Sequence, residues 1–229
     1  MSETSYHRLS QALFVVAVVL VVWAWYAAFV QVPTERTMGD VQRIFYLHLS
    51  SALVSFFAFF VVFLASVAYL WTRRAAWDWV AVSAAEVGVI FVTAVLISGP
   101  LWAKPVWGIW WTWDARLTTT LVLWFIYLGY LLLRANVPDE ERAARYGAVW
   151  GIVGFIDVPI VHFSVELWRT LHPEPVLLRA EGPALPAAML VTLLVSLVAF
   201  TLLYLFMLSQ RLELERIHER LRLVRSLVQ

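Results

Sequence analysis

The chain has 229 residues, 62% of them hydrophobic, with a formal net charge of +1 and no cysteine. Such apolarity excludes a soluble globular domain and specifies an all-α, polytopic membrane protein, while the near-zero charge excludes a bulk attraction to nucleic acid. Without thiols, disulfides, thiolate metal sites and iron–sulfur clusters are excluded too, so any metal must be held by histidine, carboxylate or methionine.

A membrane span needs about 20 apolar residues. Six stretches meet that need, at about 10–30, 45–71, 80–102, 117–134, 146–164 and 186–209. The first is too long for a signal-peptide core and lacks a small-x-small cleavage site, so it is expected to be retained. The second begins beside His48. The third carries Gly99-Pro100 near its end, a pair expected to bend or stop the helix and to send the next stretch sideways along the surface. Glu86, nearer the other end of that span, is expected to pair with a basic residue such as Arg74.

That next stretch is Trp107-Gly108-Ile109-Trp110-Trp111-Thr112-Trp113-Asp114-Ala115-Arg116-Leu117-Thr118. On a helical wheel at about 100° per residue, Trp107, Trp110, Trp111 and Asp114 share one arc, with Trp113 beside it. The arc reads as a flat aromatic shelf at the membrane boundary, suited to a large, flat, amphipathic ligand. The plainer reading is an ordinary interfacial aromatic belt.

The fifth span contains Asp157-Val158-Pro159 ahead of His162, where a proline kinks a helix. Asp157 lies about 140° round a straight helix from His162. Glu166, four residues beyond His162, shares its face and is the better candidate to hold its second ring nitrogen. The tail, about 210–229, places Leu212, Ile217, Leu221 and Val224 at helical spacing among alternating charges. It is either an amphipathic helix on the membrane surface or an extension of the last span, and it either docks a partner or is simply solvated. The domain reading is therefore a six-helix unit over 1–209 followed by this tail.

Eleven of the 17 basic residues fall on the N-terminal side of the membrane. Arg36, Arg43, Lys104, Arg116, Arg169 and Arg179 fall opposite. This bias puts both termini in the cytoplasm and makes about 31–44, 103–116 and 165–185 the outer loops. His48, His162 and the tryptophan stretch then converge at one depth on the outer side. Ionisable groups in a span need a reason. Two histidines across an aromatic shelf can ligate an iron porphyrin from its two faces; the plainer reading gives each a local hydrogen bond. Arg116 and Arg43 either pair with porphyrin carboxylates or form salt bridges to Asp114 and Asp40. His172 reads as a loop histidine, and His7 and His218 lie on the inner side.

The stretch Trp107–Thr118 resembles the tryptophan-rich signature of haem-handling membrane proteins. The segment Asp157–Glu166, with Trp168 and Thr170-Leu171-His172, is similar to the matching part of the CcmC family, the haem-exporter protein C of cytochrome c maturation. Length and six-span layout agree, so the resemblance covers nearly the whole chain. It departs after His48, where Leu49-Ser50-Ser51-Ala52-Leu53 replaces the expected Pro-Ser-Ala-Trp-like continuation.

The resemblance implies non-covalent, transient binding of haem b at the periplasmic face of a bacterial inner membrane. It implies His48 and His162 as iron ligands, and Trp107, Trp110, Trp111, Trp113 and Asp114 as the platform, with Arg116 and Glu166 in support. The implied partners are the periplasmic haem chaperone CcmE, the exporter pair CcmA and CcmB, the single-span protein CcmD, and lipid. No nucleophile–base pair or nucleotide-binding glycine loop is present, so the expectation is a carrier without bond-making chemistry of its own. The alternatives are a haem-containing redox protein and an assembly scaffold that binds no haem.

Overall fold

The computed structural model describes residues 3–168, 172, 177, 182 and 185–228. Among the described residues seven α-helices make up the fold: α1 (Glu3–Tyr26), α2 (Ile44–Thr72), α3 (Ala75–Trp107), α4 (Ala115–Asn136), α5 (Glu140–Gly154), α6 (Asp157–Leu167) and α7 (Ala187–Val228). With α5 and α6 taken as one crossing, 6 helical segments are long and apolar enough to cross a membrane. Gln210 Nε2 donates to Ser10 Oγ at 2.6 Å, so the beginning of α1 and the latter part of α7 stand at the same end of the bundle.

Lipid tails are as apolar as leucine, so membrane helices associate through close packing and buried polar contacts. Helices α2 and α3 show this most clearly. A Cβ on Gly88 of α3 would lie 2.7 Å from Phe59 Cε1 and 3.1 Å from Ala58 Cβ, so only glycine allows the approach. Phe59 in turn stacks on Tyr127 of α4, with ring centroids 3.7 Å apart. On α5, Gly147, Gly151 and Gly154 present one face at helical spacing, and each sits against a side chain of another helix: Arg134, Ser66 and Ile126.

Several charges at the end of the bundle that holds the termini are paired. Arg134 clasps Asp78 through two bonds of 2.6 and 2.7 Å. Glu86 pairs with Arg211 of α7, which also reaches Glu215 at 3.1 Å. The expected Glu86–Arg74 pair is therefore corrected. Helix α7 does not stop at the membrane but runs for 42 residues, carrying Arg211 alongside α3. The tail takes the extended form of the two foreseen.

Two further expectations change. Helix α3 continues through both Pro100 and Pro105 and ends at Gly108, whose φ of +78° closes it with an amide bond to the Lys104 carbonyl at 3.0 Å. Proline removes one amide bond but is tolerated where neighbouring helices support the rod. The fifth span, conversely, is two helices: the chain turns at Phe155 and Ile156 before Asp157. Pro159 then occupies the first turn of α6, where no intrahelical amide donor is needed. It helps start a helix and does not kink one.

Candidate functional site

At the end of the bundle opposite the Ser10–Gln210 contact, α2, α3, α4, α6 and α7 enclose a cavity of about 550 Å³. This lies within the usual small-molecule range of about 300–1,000 Å³. Its wall is mainly apolar, with residues such as Phe45, Leu49, Val106 and Leu197, and it is interrupted by His48, His162, His172 and Arg116.

His48 is in the first turns of α2, after a 3₁₀ turn over Asp40–Arg43. That turn supplies the helix start without the proline missing after His48, and Ser50 and Ser51 in the departing segment are fully buried. The His48 ring is held by α3. Its Nδ1 is 2.9 Å from Ser98 Oγ, and Trp102, one turn further along α3, meets it edge-on with centroids 5.8 Å apart. Ser98 Oγ itself donates to the Ala94 carbonyl at 2.6 Å.

His162 lies on α6, half-buried, with its ring edge-on to Phe163 at 4.9 Å. His172 comes from the segment after α6, most of which lies outside the described residues together with Arg169, Arg179 and Leu171. Arg116, in the first turn of α4, reaches His172 with Nη1 3.4 Å from Nδ1. His172 and Arg116 line the same wall as His48.

The tryptophan stretch is not a helix. Residues 108–114 are irregular chain between the α3 C-cap at Gly108 and the α4 N-cap at Asp114, so a helical wheel does not apply. Trp107 and Trp111 line the cavity. Trp110 and Trp113 are 55% and 75% exposed and do not line it. Asp114 has a structural task, accepting from the Leu117 amide and from Thr112 Oγ1 at 3.0 Å each. Among the described residues no salt bridge joins Arg116 to Asp114. Arg43 takes the plainer of its two roles, bonding Asp40 at 3.1 Å. Glu166 is exposed near the end of α6, and among the described residues no hydrogen bond joins it to His162.

Sequence reasoning missed Ser98 and Trp102, although their i, i+4 spacing before the tryptophan stretch marks one helical face. It set aside His172, whose place in Leu-His-Pro gave no hint of a bundle contact.

The wall also carries two unused donors. The indole nitrogens of Trp102 and Trp111 are buried without a hydrogen-bond partner. Buried donors are normally satisfied, so these two are spare hydrogen-bonding capacity in the residues of the wall. Among the described residues no three His, Asp or Glu side chains cluster, so the wall does not suit a bare metal ion, which typically takes at least three protein ligands. A porphyrin brings four nitrogens of its own and asks only for axial imidazoles, apolar walls and partners for its carboxylates. The residues present fit that description.

A bundle of six spans around a histidine-bearing apolar cavity defines a polytopic helical membrane protein. The chain belongs to the heme exporter protein C family, whose model matches residues 2–226. It is 41% identical over 172 residues to a heme exporter protein C from Bradyrhizobium diazoefficiens, covering 75% of this chain and 65% of that one. A Haemophilus influenzae relative of the same name is 35% identical over 196 residues, 85% of this chain and 78% of the relative. One from Escherichia coli is 36% identical over 162 residues, 70% and 65% of the two chains. The match thus spans just under two thirds of the Bradyrhizobium and Escherichia proteins.

Proposed function

We propose that this protein takes part in haem handling for cytochrome c maturation, binding haem b non-covalently in the cavity and presenting it to a CcmE-like periplasmic chaperone. The reading places the tryptophan-bearing end at the periplasmic face of a bacterial inner membrane. CcmA, CcmB and CcmD are the expected neighbours in the complex. The observation that carries it is one apolar cavity lined by three imidazoles and an arginine.

When bound, haem supplies an iron centre with two open axial positions. His48 takes one of them. His162 takes the other in the reading from sequence. His172 competes for that role, because it lines the same wall and stands beside Arg116. Arg116, on the cavity wall, meets the carboxylates. Trp110 and Trp113, exposed outside the cavity, are available to an approaching chaperone. The role needs no bond-making step in this chain, only ligation firm enough to collect haem and weak enough to release it.

Absorption spectra of purified wild type and single alanine variants, with haemin added, test this. Wild type is expected to give a six-coordinate spectrum and His48→Ala to lose it. A His162→Ala variant that keeps the six-coordinate spectrum while His172→Ala loses it moves the second ligand to His172. Wild type that takes up no haemin overturns the proposal.

A further inference from the structure

Ser98 has a single hydroxyl proton, and the shorter of its contacts assigns that proton to a helix carbonyl. Its Oγ is 2.6 Å from the Ala94 carbonyl, which can only accept. The oxygen is therefore left as an acceptor toward His48 Nδ1, 2.9 Å away. In a neutral imidazole one nitrogen is a donor and the other an acceptor. If Nδ1 donates to Ser98, the proton is on Nδ1 and the Nε2 lone pair is free. Among the described residues Nε2 has no hydrogen-bond partner of its own. The arrangement is protected: Ser98 is 3% exposed, and Trp102 one turn away packs against the same ring.

We propose that Ser98 is a positioning residue for the site, fixing His48 in the Nδ1–H tautomer so that Nε2 is the nitrogen offered to a ligand. The inference rests on His48 being a ligand, as proposed above. It adds a consequence for strength. Ligating histidines commonly hand their second N–H to a carboxylate or carbonyl, which raises ligand basicity. A serine hydroxyl already polarised by a helix carbonyl is a weaker acceptor than a carboxylate. Ser98 therefore orients the ring without making it a strong donor to iron, which suits a site that must release its cargo.

Two measurements test this. Nitrogen-15 NMR of histidine-labelled protein without haem is expected to show His48 protonated at Nδ1 in wild type and Ser98→Thr, and a mixture of tautomers in Ser98→Ala. With haemin, Ser98→Ala is expected to weaken retention by about 10-fold, while Ser98→Thr keeps wild-type retention. Ser98→Asp is expected to lower the haem midpoint potential relative to wild type, because a carboxylate partner strengthens imidazole donation. A His48 in wild type protonated at Nε2, or a potential that stays the same in Ser98→Ala and Ser98→Asp, overturns the inference. Wild type that binds haemin with either of those outcomes isolates the failure to Ser98; failure of wild type to bind haemin is the separate failure of the proposed function.

Discussion

At the scale of single residues, the three tryptophans of the loop separate by environment. Trp111 is partly buried on the cavity wall with its indole N–H unpartnered, while Trp113 is 75% exposed, its ring edge-on to Trp111 at 5.7 Å. Burying a large apolar side chain contributes about 1.5–3 kcal/mol. Trp111→Ala, which removes a ring from the cavity wall, is therefore expected to weaken haemin retention by roughly 10-fold or more. Trp113→Ala should leave retention in the isolated protein unchanged. Titration with haemin in detergent measures both, and equal losses in the two variants would return the loop to a plain interfacial belt. The composition of this loop was legible in the sequence, but its inner and outer tryptophans were not. That division depends on Gly108 leaving the helical region, which converts a supposed arc of side chains into an irregular chain with its own directions.

At the scale of elements, the contact of α2 with α3 depends on the missing Cβ of Gly88. A methyl group there would press on Phe59, which cannot withdraw because it stacks on Tyr127. Overpacking of this kind costs about 1–3 kcal/mol, so Gly88→Ala is expected to lower the thermal unfolding midpoint in detergent. Gly108→Ala would meet nothing within 4 Å and is penalised only through its positive φ. An unchanged midpoint for Gly88→Ala would mean that the two helices can part without loss. The existence of the spans was readable because length and apolarity are local properties of the chain. The effect of proline was not. Pro100 sits deep in a supported rod and is tolerated, whereas Pro159 follows a turn and opens a helix. The same residue has opposite consequences depending on packing that no local pattern encodes. His172 is a loop histidine as its sequence context suggested, but its contact with Arg116, 56 residues away, could not be read from any local pattern.

At the scale of the whole molecule, the even number of crossings sets the termini at one end and the tryptophan loop at the other. With no native cysteine, a single introduced thiol reports its side of the membrane without background. Leu221→Cys, at a position 50% exposed, is expected to react with a membrane-impermeant maleimide only from the cytoplasmic side. Trp113→Cys is expected to react only from the periplasmic side. Labelling of both from one face would contradict the bundle as described, and labelling in the reverse sense would invert the orientation proposed for it.

Helix α7 lines the cavity through Leu197 and Thr201 and continues unbroken to Val228. Its 42 residues correspond to about 63 Å at 1.5 Å per residue, against a hydrocarbon layer of about 30 Å. No glycine or proline interrupts it between Ala187 and Val228. The part beyond the lipid is thus a spar and not a tether: whatever grips its charged tip is held at a fixed reach, joined to the cavity wall on the other side of the bilayer by one stiff shaft.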